Sequence, residues 1–316
     1  MFQPLLLVLV LVQLSAGSHV ADTLARTRAA MPASPVSEDT LSRLAKAKAD
    51  GHTRILVAGD SWGTVTAVGS ALGLSFFERT LEKHSCNATS VSIAVPGTET
   101  TDWDSGLYLD ALKLAAKEAE FIWIVLMGND ALDRMPDCAS SGKSAKECGD
   151  ELYALASKNM GKILDEVHEA NPSAQVVGFG YDTMFGGLGC ELVTAELFPQ
   201  CYKAGGGGNR CFNTEFLKIQ AIWEDVAANR SWVDATSILG ATQVKGGDAA
   251  ASTGEPPDFK GRHIDMDKMG PAKYWPDYEA CFHPGVFGGE DSGAMVVMEE
   301  FHRAYWAKQL GCPSSE

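Results

Sequence analysis

Five short apolar runs, Arg54–Ala58, Ser90–Val95, Phe121–Met127, Gln175–Phe179 and Ser231–Ala235, alternate with stretches whose apolar residues recur at helical spacing. The runs are rich in Val and Ile, as expected of strands covered on both faces. Helices are expected over Val65–Lys83, Leu107–Ala119, Asp150–Ala170 and Thr214–Asn229, with a last one from about Gly293 to Leu310. Another precedes the first strand, from about Ser37 to Ala49, with Glu38 and Asp39 near its start, where negative charge is favoured. Such alternation restricts the chain to a mainly parallel sheet wrapped on both faces, with right-handed crossovers. The expected organisation is a segment 19–50 carrying the first helix, then one domain over 51–316. Two polar, Gly-rich regions, Gly189–Cys211 and Gly240–Gly270, break the alternation and read as long loops that shape a site.

Leu5 to Val12 is an unbroken apolar block followed by Ser15, Ala16, Gly17 and Ser18. It reads as a secretory signal over residues 1–18, cleaved near Gly17 or Ser18, although no Lys or Arg precedes it. The block is too short to span a bilayer, and no later apolar run is long enough, so integral membrane association is not expected. Eight cysteines, none in a C-x-x-C pair, favour disulfides in an oxidising compartment over structural zinc. Cys138 and Cys148 bracket a polar loop and suit a local bridge. Cys190, Cys201 and Cys211 suit a second stapled loop, with one of them reaching elsewhere. Asn87-Ala88-Thr89 and Asn229-Arg230-Ser231 are glycosylation sequons. The location read from these features is secreted, or the lumen of the secretory pathway. A net charge of −15 argues against nucleic acid and anionic membrane surfaces as partners. A monomer is expected.

Four segments carry candidate chemistry. The first run ends in Gly59-Asp60-Ser61-Trp62-Gly63, which places a serine hydroxyl at the carboxyl edge of the sheet. A helix starting there adds backbone N–H groups suited to a developing negative charge. Val95-Pro96-Gly97-Thr98 follows the second run, and Gly128-Asn129-Asp130 follows the third. Cys281-Phe282-His283-Pro284-Gly285 precedes the last helix. A serine hydroxyl is a weak nucleophile until a base takes its proton, and a histidine can do so near neutral pH. A glycine without Cβ lets its backbone approach a substrate, and an asparagine offers an uncharged NH₂ donor.

In these four blocks the chain resembles the SGNH hydrolases, also called GDSL esterases and lipases. Ser61, Gly97, Asn129 and His283 match the Ser, Gly, Asn and His of the family in order, over roughly Arg54 to Pro284. The resemblance implies an α/β fold, a flavodoxin-like three-layer α/β/α sandwich with a mainly parallel five-stranded sheet. It implies hydrolysis of acyl or acetyl esters (lipid, small ester or acetylated carbohydrate) through an acyl-enzyme, without a cofactor. Ser61 would attack, His283 would act as base, and the N–H groups of Ser61 and Gly97 with the Asn129 amide would form the oxyanion hole. The family usually carries an Asp three residues before the histidine; here that residue is Ala280. Glu279 or a backbone carbonyl is the preferred group to orient the ring, with Asp277 a looser alternative. Asp60 and Asp130 read as loop organisers. A binding protein on an inactive scaffold of this family is the rival reading, motivated by Ala280 and the long loops.

Other patterns carry less. Gly59-x-Ser61-x-Gly63 fits the nucleophile elbow of α/β-hydrolases, but no upstream strand supplies that fold's oxyanion donor. Ser292 reads as a helix cap. His263-x-Asp265-x-Asp267 reads as a polar loop ahead of a metal site, and Gly178-x-Gly180 lacks the third glycine of a dinucleotide site. Tyr274, Trp275 and Tyr278 either line a cleft beside His283 or pack a loop, and His302 reads as a surface or interfacial residue.

Overall fold

A computed structural model describes residues 35–64, 76–183, 190, 194–195, 198–202, 207–246, 264–270, 301 and 305–313. Five strands, β1 (Thr53–Gly59), β2 (Ala88–Ser92), β3 (Phe121–Val125), β4 (Gln175–Gly180) and β5 (Val233–Ser237), form one sheet in the order β2-β1-β3-β4-β5. Every pairing is parallel. The order reverses between β1 and β3, and loops leaving two neighbouring strands in opposite directions open a crevice at their carboxyl ends. The sheet therefore offers one favoured place for a ligand, and the loops after β1 and β3 border it.

The helices named below are α1 (Glu38–Ala49), α2 (Phe76–Lys83), α3 (Thr100–Trp103), α4 (Gly106–Ala116), α5 (Gly128–Ser140), α6 (Ala145–Ala170), α7 (Gly208–Ala227) and α8 (Ala241–Gly246), and two further short ones cover Pro199–Tyr202 and Ala307–Gln309. Ser37 caps α1, its hydroxyl accepting from the Thr40 N–H. Ser144 and Glu147 form a reciprocal capping box that starts α6. The alternation of side chains along each strand separates the two covering layers. Trp123 and Phe179 point to one face, where their rings meet Phe77 of α2, Phe301 and Trp306. Gly178 points to the other, where α7 lies so close that an added Cβ would sit 2.2 Å from the Trp223 ring. With α4, α6 and α7 packed together on that second side, the fold is a three-layer α/β/α sandwich.

The element boundaries differ from the sequence expectation in instructive ways. β2 and β5 are displaced from Ser90–Val95 and Ser231–Ala235. Polar residues carry part of their pairing, as where the buried Thr236 hydroxyl donates to the Gly178 carbonyl at 2.7 Å. The third run stops at Val125 because Met127 adopts a φ of 96°, which ends the extended backbone. α7 begins at Gly208, inside the expected loop Gly189–Cys211, and α6 begins five residues before Asp150. α5 is an added element; Pro136 and a polar composition hide it. The expected local bridge Cys138–Cys148 is present, and it joins α5 to α6 across the short connection between them. Cys201 pairs with Cys211, Cys190 is also disulfide-bonded, and Cys86 pairs with Cys312. Residues 65–75, most of the expected last helix and Ser292 and His302 lie outside the described residues. Among the described residues, no helix is long and apolar enough to cross a membrane.

The join between β1 and β3 is closest at Gly59. Its φ is 128°, and a Cβ there would fall 1.8 Å from the Val125 carbonyl oxygen. Backbone strain and overpacking then act together, so Gly59→Ala should lower the unfolding free energy by about 3 kcal/mol or more. Urea unfolding measures this directly; an unchanged midpoint would mean that the strand ends separate without cost.

Candidate active site

The carboxyl edge of the sheet brings together the segments that follow β1, β2 and β3. Residues 61–64 turn into a helix directly after β1, so Ser61 stands at the strand's end, partly exposed. Asp60 shapes this turn. Its N–H donates to the Val125 carbonyl at 2.8 Å, and its Oδ1 accepts the Trp62 N–H at 2.9 Å. Trp62 is buried against Phe179 and Tyr181, which anchors the turn to the end of β4.

The segment after β2 is drawn onto the end of β1. The Val95 N–H donates to the Gly59 carbonyl at 2.8 Å, and the single Thr98 hydroxyl proton lies between the Val95 carbonyl at 2.8 Å and the Gly59 carbonyl at 3.2 Å. The Trp103 indole N–H donates in turn to the Thr98 hydroxyl at 2.9 Å. Gly97, buried and at a φ of 81°, lies in the tight turn between these anchors. Asn129, in the first turn of α5, donates through Nδ2 to the Thr98 carbonyl at 3.0 Å. A carbonyl can only accept, so this bond fixes which end of the amide is nitrogen. It uses one of two N–H donors and leaves the second for another partner. Ser61, Gly97 and Asn129 are thus held on three loops that hydrogen bonds join to one another. What these three residues carry chemically is a hydroxyl, a backbone N–H and an amide donor.

Three buried carboxylates organise this edge. Asp60, Asp130 and Asp182 are each at most 2% exposed and each follows a strand. Asp130 accepts the Thr100 N–H at 2.9 Å and the Thr100 hydroxyl at 2.6 Å, while Asn159 of α6 donates to that hydroxyl at 3.1 Å. Asp182 accepts the N–H groups of Thr183, Gly240 and Thr242. Burial pushes all three carboxyls upward, Asp60 to about 7 and Asp182 to about 6. Donors pull them back: the Tyr181 hydroxyl and Trp62 N–H at Asp60, Thr100 at Asp130, and the loop N–H groups at Asp182. The loop-organising role read for Asp60 and Asp130 matches these bonds.

Sequence reasoning passed over Tyr181, Thr98 and Asp182. Tyr181 donates to Asp60 Oδ2 at 2.5 Å and accepts the Gly128 N–H at 3.1 Å. Its partners lie 121 and 53 residues away, and no local pattern announces them. Thr98 had one signal, adjacency to Gly97. His283, Glu279, Asp277 and Ala280 lie outside the described residues, as do His263, Tyr274, Trp275 and Tyr278. Asp267 is engaged by Arg210 through both carboxylate oxygens, and Asp265 Oδ1 accepts the Asp267 N–H. Among the described residues no group of His, Cys, Asp or Glu could hold a metal ion.

No protein-family model and no curated protein matches the chain. Among solved structures it is similar to an extracellular lipase from Streptomyces rimosus, at 18% identity and a TM-score of 0.45, covering 78% of this chain and 99% of that one. It is similar to a phospholipase A1 from Streptomyces albidoflavus, at 16% identity and a TM-score of 0.45, covering 79% of this chain and 99% of that one. It is also similar to a lipase from a goat rumen metagenome, at 14% identity and a TM-score of 0.45, covering 80% and 96%.

The raised carboxyl of Asp60 has a definite pH signature. The folded state holds this proton more tightly than the unfolded chain does, so the stabilising contribution is complete below about pH 4. It is lost as pH rises through about 7. The groups facing Asp60 are Tyr181 and the carboxyl of Asp130. Asp60→Asn removes the titration. The stability of the natural protein relative to this variant should fall between about pH 4 and 7, by on the order of 3 kcal/mol. Denaturant unfolding across that range checks it; a flat difference would contradict the assignment.

Proposed function

We propose that this chain is a secreted ester hydrolase of the SGNH type. One observation carries the reading: Ser61, Gly97 and Asn129 follow three adjacent strands at the switch point of a parallel sheet, on loops that hydrogen bonds tie together. A nucleophile, a backbone donor and a side-chain amide in one crevice are what acyl transfer requires.

In this mechanism Ser61 Oγ attacks the ester carbonyl carbon while His283 takes the hydroxyl proton. The tetrahedral oxyanion is met by the N–H groups of Ser61 and Gly97 and by the second Nδ2 hydrogen of Asn129. Collapse breaks the ester C–O bond, and the His283 proton goes to the departing alcohol. Water, deprotonated by His283, then attacks the acyl-serine, releases the acid and restores Ser61. Glu279 or a backbone carbonyl orients the imidazole. The reaction needs no cofactor. The substrate is an acyl or acetyl ester of a lipid, a small alcohol or a carbohydrate, and the monomer is the working unit.

Secretion accords with the signal over residues 1–18 and with the disulfides. Asn87 and Asn229 are exposed where the chain enters β2 and β5, at the amino end of the sheet. Glycans on these sequons would leave the carboxyl edge clear.

Ser61→Ala should abolish hydrolysis of a short p-nitrophenyl ester with the fold intact by circular dichroism. Asn129→Ala should lower kcat about 10²–10³-fold, the typical cost of one oxyanion donor. Full activity in either variant would remove that residue from its role. Ala280 favours a second reading, a binding protein on an inactive scaffold. Capture of a fluorophosphonate at Ser61 separates the two, because folded protein that takes up none would support the binding protein.

A further inference from the structure

We propose that Tyr181 is a positioning residue for the Ser61 reaction, its hydroxyl holding the nucleophile turn and the Asn129 helix at one fixed spacing. The inference rests on the ester-hydrolase reading and adds to it a residue that touches no reacting atom.

Tyr181 follows β4, which pairs with β3 and not with β1. Its side chain therefore crosses the end of β3 to reach Asp60 beyond β1. The ring is buried, edge-on to Trp62 with centroids 5.4 Å apart. The Gly128 N–H can only donate to the phenol oxygen, so the phenol's single proton is directed to Asp60 Oδ2. The same carboxylate receives the Trp62 N–H on Oδ1. A continuous path results: Ser61 is bonded to Trp62, Trp62 to Asp60, Asp60 to Tyr181, Tyr181 to Gly128, and Gly128 is covalently joined to Asn129. Gly128 makes the approach possible, since a Cβ there would lie 3.2 Å from Tyr181 Cζ and 3.3 Å from its hydroxyl. Without the hydroxyl, the Gly128 N–H and Asp60 Oδ2 each lose a buried partner, and the start of α5 is no longer set against the serine turn. Donors shifted by a fraction of an ångström still bind substrate but stabilise the oxyanion poorly, so the effect belongs in kcat.

The test compares the full-length protein with Tyr181→Phe on p-nitrophenyl butyrate, with kcat expressed per site titrated by a fluorophosphonate. Tyr181→Phe should lower kcat about 10- to 100-fold with KM within about twofold. In an Asn129→Ala background the same change should cost under about threefold, because the donor it positions is already gone. Should Tyr181→Phe fail to fold, Gly128→Ala displaces the same contact without deleting it, and a kcat loss of the same order is expected. An unchanged kcat per titrated site with a lowered Tm would overturn the proposal and leave Tyr181 a purely stabilising role. A full, undiminished loss in the Asn129→Ala background would also overturn it. If the natural protein neither hydrolyses the ester nor takes up the label, the ester-hydrolase reading has failed, and this inference with it.

Discussion

Burying a carboxyl group without partners costs several kcal/mol, and this fold buries three of them, each partnered, past the ends of strands. Asp60, Asp130 and Asp182 are tolerated because backbone N–H groups and hydroxyls converge on them. The same bonds draw the loops inward. A loop leaving the carboxyl edge of a parallel sheet has N–H groups that no neighbouring strand can satisfy, and the carboxylates supply the acceptors. Loop geometry at this edge is therefore fixed by the same interactions that make the carboxylates tolerable.

The candidate site inherits that rigidity. Asn129 and Asp130 are consecutive, and both grip the segment 98–100, one through an amide and the other through a carboxylate. On the other side the Val95 N–H binds the Gly59 carbonyl, and the Thr98 hydroxyl closes the turn onto the Val95 carbonyl. A serine, a glycine N–H and an amide drawn from strands far apart along the chain gain a common frame in this way. Preorganised donors are worth most when they need not move as charge develops.

Much of this was legible in the sequence where the signal is local. The five apolar runs mark the strands, and Gly59-Asp60-Ser61, Gly97 and Gly128-Asn129-Asp130 lie at or within five residues of the ends of three of them. Legibility ends where partners are distant or where polar residues enter the core. Thr236 carries β5 past Ala235 because its hydroxyl finds the Gly178 carbonyl, a bond no propensity encodes. Pro136 and a polar surface conceal α5, yet tertiary packing against α6 sustains it. Tyr181 looks like any apolar residue closing a strand. Only the crossing of β3 reveals that its oxygen serves two loops.

The bridge from Cys86 to Cys312 spans 226 residues and encloses β2 through β5. During ribosomal synthesis its two thiols cannot meet until those strands have all emerged. Covalent closure thus comes after all the strands from β2 to β5 have been made, and until then the sheet is held by pairing and packing alone. Once closed, the ring confines the unfolded ensemble by about 5 kcal/mol on a chain-entropy count. Reductant would accordingly loosen the whole molecule, including the distant edge where Ser61 stands.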